Sequence, residues 1–388
     1  MKTFQYDAIV VGGGPAGAAA AYEIAAAGRG VLLLEREQFP RYKVCGGGLS
    51  ARLDHVIGTA YHETVEASVH GIEFVYRGAD AFSVDADGPL ARFVMRARFD
   101  AWLVDRAAAA GAHVRFGEPA IEINEEDDAG VWVRTARGSY RAPCLVGADG
   151  ANSRLAKRLN PDHALRGVYG LEAEFAGAAP PPRAALEMGA VPGGYGWVFP
   201  KRDGVSIGVA GFYGAEPRPK ERYERAMGAQ PALRGRTLPA PVGHPIPVFT
   251  GGCCVASRRI GLAGDAGRLV DPFFGEGIYF GILSGQQLGR TITRQLDHGA
   301  IDLREYGRWV RAELEPELAV TARLASIAYG HPRLWYDAMR AHPDVVGWMY
   351  DVLRGESTFQ SLWSRLKRHA VRLAPAAVAS RVASLFGR

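Results

Sequence analysis

The stretch Y6-DAIVVGGGPAGAAAAYEIAAAGRGVLLL-E35 decides the fold. Asp7 to Val11 reads as a strand, Gly12 to Gly17 as a glycine turn, the alanine-rich run as a helix, and Val31 to Leu34 as a second strand. Together they form a βαβ nucleotide-binding unit. Gly12 permits the tight turn, Gly14 lets main-chain N–H groups approach a diphosphate, and Gly17 lets the helix lie close on the strand. The helix N-terminus adds unpaired N–H groups and a partial positive charge. Glu35 ends the second strand, where a carboxylate accepts hydrogen bonds from a ribose 2′-OH, which disfavours a 2′-phosphate. These residues leave NAD and FAD both open.

The totals limit the remaining possibilities. A chain of 388 residues holds two domains or one large interleaved unit, and 48% hydrophobic with 22% charged residues is an ordinary globular composition. The net charge of +5 is a property of the tail, because the residues from Ser357 onward carry six Lys/Arg and no acid. Nucleic acid is therefore not implied as a partner. Cys45, Cys144, Cys253 and Cys254 form no CxxC pair and no metal-binding spacing, so the chain reads as cytoplasmic and metal-free. No apolar run approaches the ~20 residues that span a bilayer.

Past Glu35, Cys45 is followed by three glycines and a probable helix from Leu49, a loop that can lie flat on a planar ligand or an anion. Strands are expected at Gly71 to Tyr76 and Ala91 to Met95, a helix from Arg98 to near Ala110, and a returning parallel strand at His113 to Phe116. Arg98 suits a surface ion pair and a cofactor contact equally. Ile121 to Asn124 and Val131 to Thr135 flank an acidic turn, and Cys144 to Ala148 reads as a buried strand. From Val168 to Gly214 strand alternation replaces the βα rhythm, which predicts a second, antiparallel-sheet domain.

In that segment Tyr195, Trp197 and Phe199 fall at i, i+2 and i+4, on one face of a strand that Pro200 should end. Such a stripe usually belongs to a core, but Gly193, Gly194 and Gly196 remove side chains that would close the space beside it. A short strand, Ile260 to Ala263, leads into Gly264 and Asp265, and a helix is expected from Ile278 to about Leu288. An acid at a strand end can hold a sugar hydroxyl, and the helix start can stabilise negative charge. Residues 301–356 read as helical. Phe359, Leu362, Trp363 and Leu366 then give an apolar face beside basic residues, continued past Pro375 by Val378, Val382, Leu385 and Phe386. Such a helix lies on an anionic membrane or packs on the protein body.

Taken together, the motifs resemble the geranylgeranyl reductase family of FAD-dependent oxidoreductases, which is similar in fold to the aromatic hydroxylases of the p-hydroxybenzoate type. The matching runs are GGGPAG, PRYKVCGGGLS (Pro40 to Ser50), RARFD (Arg96 to Asp100), GADG (Gly147 to Gly150), YGWVFP (Tyr195 to Pro200), and GDAG with DPFFGEGI (Gly264 to Ile278). The resemblance implies an α/β fold in which a Rossmann-like FAD-binding domain (1–70, 98–165, 253–297) interleaves with an antiparallel-sheet substrate domain (71–97, 166–252). A helical region with a basic amphipathic tail (298–388) follows. Beside Gly12, Gly14 and Gly17, it implies FAD contacts at Ala16, Glu35, Cys45, Gly46, Gly48, Arg98, Ala120, Asp265, Gly277 and Ile278. Tyr195, Trp197 and Phe199 resemble the lining of a prenyl tunnel.

The implied activity is reduction of isolated C=C bonds in a geranylgeranyl or other polyprenyl chain, with a lipid, quinone or diphosphate head group. Hydride reaches one carbon and a proton the other, in an aligned, water-free site. Cys45 is the candidate for positioning or proton delivery, and equally a small packing group. No second GxGxxG unit is present, so NADPH binds transiently or a protein such as reduced ferredoxin supplies electrons. Residues 357–388 are the expected contact with an anionic inner membrane face. Two alternatives share the motifs: a flavin-dependent monooxygenase or halogenase, and a non-catalytic prenyl-lipid-binding flavoprotein. Halogenases carry a WxWxIP strand, from which Tyr195 and Phe199 depart.

Overall fold

The computed structural model describes residues 5–126, 130–161, 168–211 and 219–373, with side chains through residue 369. Short apolar runs buried on both faces make a parallel sheet. Its strand order is Ile260–Leu262, Cys144–Gly147, Ala8–Val11, Val31–Leu34, His113–Arg115. All neighbours are parallel, with Ile9 between Leu145 and Leu32. The C-terminal ends of these strands therefore converge on one edge, where ligands bind open α/β sheets. That edge carries the Gly12 turn, Glu35, Ala148 with Asp149, and Gly264 with Asp265.

A long helix, Gly277–Asp297, lies against the first helix, Pro15–Ala26, through a seam of small residues. Gly281, Gly285 and Gly289 recur at four-residue spacing and meet Ala16 and Ala20. A methyl group at Gly285 would overlap the Ala16 carbonyl, and one at Gly289 would press on the Ala20 main chain. This corrects the expected helix end near Leu288. Gly289 marks a close approach, and the helix runs nine residues further to Asp297.

The second sheet has seven strands, ordered Val242–Ile246, Val168–Ala176, Gly204–Gly211, Gly194–Lys201, Ala184–Met188, Gly71–Tyr76, Asp80–Asp85. It is antiparallel except where Ala184–Met188 runs parallel to Gly71–Tyr76. That one pairing ties the early strands of the chain to the later ones. Pro200 does not end its strand: it pairs with Val205, and the hairpin closes one residue later at Lys201 and Gly204. Leu49 lies in a short strand, Gly48–Ser50, paired with Phe93 to Ala91, where a helix was expected. The only helical continuation there is a short one beginning at Ala51.

The C-terminal helices Glu315–Gly330, Pro332–Ala341, Pro343–Arg354 and Phe359–Leu373 pack onto the body, with His331 and His342 at the expected breaks. Phe359, Leu362, Trp363 and Leu366 are all buried, and Phe359 packs on Phe274 with ring centroids 5.6 Å apart. The main-chain N–H of Phe359 donates to Glu317 (2.9 Å), and Arg365 pairs with Asp351 (3.0 Å). The apolar face of this segment is thus spent on the protein and is not offered to a membrane. Pro375, Val378, Val382, Leu385 and Phe386 lie outside the described residues. Among those described, no helix is long and apolar enough to cross a membrane.

The seam gives a stability test by urea unfolding. Gly285→Val should cost about 1–3 kcal/mol through overpacking. Gly347→Ala, at a helical glycine with open space beside it, should gain about 0.5–1 kcal/mol.

Candidate functional site

One cavity of about 970 Å³ starts at the glycine turn, passes the Cys45 loop and ends among the C-terminal helices. At the turn, Gly12 takes a positive φ of 106° and is closed against the Ala148 carbonyl, whereas the space beside Gly14 is open. The first helix has no side-chain cap, so its N-terminal N–H groups face that opening. The buried Glu35 accepts from the Gly13 N–H (2.6 Å) and the Glu37 N–H (2.9 Å), which holds its carboxylate under the turn. Asp149 keeps one buried oxygen unpartnered while the other accepts from the Arg154 N–H (3.0 Å).

The middle of the cavity is charged. Arg96 opens the helix Arg96–Ala109 and pairs with the fully buried Asp100 one turn later (2.8 and 2.9 Å). Arg41 reaches the same carboxylate at 3.0 Å. Lys43 and Arg96 both face Asp265, whose carboxyl burial holds above the usual range. Burial, then the Arg96 charge, pushes Lys43 down to about 8. On the neighbouring edge strand, burial followed by the Lys43 charge pulls His244 down to about 4. The helix Gly277–Asp297 presents Gly277 and Ile278 to this region, so a second helix N-terminus faces the cavity.

The Cys45 loop rests on the aromatic strand. A side chain at Gly46 would run into the Phe199 ring and the Trp197 indole, so the loop lies flat there only as glycine. The Lys201 ammonium donates to the carbonyls of Gly46 (3.1 Å) and Val94 (2.6 Å), and the Gly47 carbonyl accepts from the Val94 N–H (2.9 Å). The Cys45 sulfur accepts from the Gly47 N–H (3.4 Å) and from the Arg96 side chain. Beyond it the lining becomes largely aromatic and aliphatic, with the buried Asp271 beside Tyr195 and Tyr329. Along the strand Trp197 stacks on Phe199 with centroids 6.0 Å apart, Tyr195 lies tilted against Trp197 at 6.1 Å, and Tyr195 stacks on Tyr329 at 5.9 Å. Leu186, Met188, Trp335, Met339 and Met349 continue the wall.

The cavity brings together Gly12, Gly14, Ala16, Glu35, Cys45, Gly46, Gly48, Ala120, Asp265, Gly277, Ile278, Tyr195, Trp197 and Phe199. Gly17 is outside it and packs against the Gly12 carbonyl. Arg98 is also outside: its half-exposed guanidinium pairs with Glu66 (2.6 Å) and the Glu63 carbonyl (3.1 Å). Two helical residues at i and i+2 point about 200° apart, so Arg96 and Arg98 cannot share a face. Arg96 takes the inward position. Sequence reasoning missed Arg96, Lys43 and Glu172. Lys43 and Arg96 sit inside the quoted motifs, whereas Glu172 carried no signal beyond strand alternation.

An extended dinucleotide fits these residues. An open glycine turn, an unpartnered buried oxygen at Asp149 and an unpartnered buried nitrogen at Arg41 line one polar limb between two helix N-termini. Comparisons with known proteins agree. The FAD binding domain family matches residues 5–172, and the FAD dependent oxidoreductase family matches residues 89–278. The digeranylgeranylglycerophospholipid reductase 1 of Methanopyrus kandleri is 31% identical over 79% of this chain and 86% of its own length. The menaquinone reductase of Mycolicibacterium smegmatis is 32% identical over 74% of this chain and 76% of its own. A solved geranylgeranyl bacteriochlorophyll reductase-like protein of Thermoplasma acidophilum superposes with a TM-score of 0.76 at 25% identity, covering 82% of this chain and 87% of that one. The flavin-dependent brominase Bmp2, at 21% identity and a TM-score of 0.72 over 90% of this chain and 93% of its own, shares the fold alone. The chain therefore belongs to the geranylgeranyl reductase family of FAD-dependent oxidoreductases.

Proposed function

We propose that the protein reduces isolated C=C bonds in the polyprenyl chain of a lipid or quinone. The observation that carries this reading is the change from a charged to an apolar lining within one cavity, at the Cys45 loop. Gly12, Gly14, Ala16, Glu35, Ala120 and Asp265, with Gly277 and Ile278, hold FAD in the polar limb, and Arg96 replaces Arg98 in that set. Reduced FAD supplies the hydride when bound. The lipid and quinone reductases among the relatives support the substrate class.

The chain's own residues provide the remainder. An unpolarised alkene offers no charge to grip, so alignment rests on Tyr195, Trp197 and Phe199 and on exclusion of water. Each methylene buried in the apolar limb contributes about 0.8 kcal/mol, which a long prenyl chain supplies many times over. The Cys45 thiol gives the proton. The negative charge left on sulfur is met by the Gly47 N–H and the Arg96 guanidinium, both already placed. The reductant is NADPH or a protein donor such as ferredoxin, visiting transiently.

Three measurements test this reading. The FAD-loaded, dithionite-reduced protein, incubated anaerobically with geranylgeranyl phospholipid or menaquinone, should yield products about two mass units heavier per double bond. Absence of any gain, with oxygen inserted into an aromatic in air, overturns it in favour of a monooxygenase. Trp197→Leu should lower kcat/KM for long prenyl substrates about ten- to hundredfold while leaving flavin reduction by dithionite unchanged. Flavin affinity, followed by fluorescence quenching, should weaken as pH rises through about 8, where Lys43 loses the charge that attracts an anionic dinucleotide. Lys43→Met should remove that inflection.

A further inference from the structure

The proposed reaction withdraws one proton from the half-buried Cys45 per double bond, and a hydrocarbon chain filling the apolar limb would leave that proton to be replaced through the protein. The strand Val168–Ala176 supplies candidates, because Glu172 and Glu174 lie two residues apart and project from the same face. Glu172 is 1% exposed and lines the cavity. It accepts the main-chain N–H of Cys45, so its carboxyl lies beside the main chain of the residue that carries the thiol. Its two oxygens also accept from the Tyr42 hydroxyl (2.5 Å) and the Ser206 hydroxyl (3.3 Å). Ser206 in turn accepts from the Trp197 indole N–H (3.4 Å). Glu174 hydrogen-bonds to Glu172, lies 3.8 Å from Lys201 and is 25% exposed, so it reaches solvent. A buried carboxyl and a partly exposed one thus form a line from the protein surface to the Cys45 loop.

We infer that Glu172 is a proton-relay residue, which returns to Cys45 the proton spent in each alkene reduction and is itself refilled through Glu174. The inference rests on the reductase reading. In each cycle the S–H bond breaks as the second C–H bond forms on the alkene. The thiolate then takes the proton of the Glu172 carboxyl, Glu172 takes that of Glu174, and Glu174 takes one from water. Neither sulfur nor carboxyl changes oxidation state. Burial keeps the Glu172 carboxyl above the ordinary range. For Glu174, burial first and the Glu172 neighbour after it outweigh Lys201 and hold its value at about 7, so the pair carries a proton at neutral pH. Other charged or titratable groups facing the pair are Tyr42 and Cys45 on the loop, Lys201 on the aromatic strand, Glu66 on Val65–Val69 and Tyr223 on the helix Pro219–Gly228. His244, on the adjoining strand, faces Lys43, Arg96 and Arg36.

The test is Glu172→Gln in the FAD-loaded protein. The amide oxygen still accepts from the Cys45 N–H, but the group carries no transferable proton. Anaerobic turnover of geranylgeranyl phospholipid at pH 6 to 9 should show kcat at least tenfold lower, KM unchanged and the fall in rate near pH 7 abolished, with partial recovery in Glu172→Asp. Alkylation of Cys45 by iodoacetamide, read by peptide mapping, needs no substrate. The wild-type rate should carry an inflection near pH 7 from the titration of Glu174, and Glu172→Gln, by removing the neighbouring acid, should move that inflection to lower pH while Cys254 reacts as before. An unmoved inflection, or a slower variant whose pH profile keeps its shape, overturns the relay. Failure of the wild type to reduce any prenyl substrate overturns the reductase reading instead, and the alkylation result still judges the carboxyl pair.

Discussion

Everything at this site depends on how closely two helices approach. The glycine turn belongs to the first 17 residues and the Asp265 segment comes nearly 250 residues later, yet both face one cavity. The seam of Gly281, Gly285 and Gly289 on Ala16 and Ala20 brings them there. At Gly285 and Gly289 only hydrogen fits between the helices, so the helix–helix distance there is set by backbone contact and not by adjustable side chains. Two helix N-termini are thereby held at the same cavity, and no rotamer change in a larger residue can loosen them.

The second dependence is on the loop at Cys45. It lies across the aromatic strand, and its main chain is held by Lys201, Val94 and Glu172. Polar groups this deeply buried are costly unless paired. Here the Lys201 ammonium and the Glu172 carboxyl meet main-chain carbonyls and an N–H, so burial of these polar groups and ordering of the loop offset one another. The thiol stands where the lining changes from charged to largely apolar.

Much of this is legible in the amino-acid sequence. The Tyr6 to Glu35 unit, the returning strands at His113 and Cys144, the aromatic stripe and the helical breaks at His331 and His342 all follow from local pattern. The misreadings share a physical cause, which is that local signals carry more than one meaning. Gly289 reads as a helix stop but is a point of close contact. Pro200 reads as a strand end but occupies a pairing position near the hairpin. The triple glycine before Leu49 suggests a helix start, and the partner strand Ala91–Val94 turns those residues into a strand instead. The apolar face at Phe359 to Leu366 suits a membrane or a protein surface equally, and only the neighbouring helices decided between them.

The sequence by itself determined the nucleotide-binding unit and the alternation of βα and antiparallel segments, because these rest on spacing along the chain: the glycines of a turn, the 2.0 and 3.6 periods, the acid at a strand end; the family came from the resemblance of its motif runs to known proteins. Tertiary structure alone decided which of Arg96 and Arg98 faces inward, that Lys43 shares a cavity with Asp265, and that Glu172 meets Cys45 across 127 residues. The physical reason is that a charge's role depends on what lies within a few ångströms of it. For these groups the neighbours come from other strands and helices, so their distances exist only once the two sheets and the glycine seam have closed.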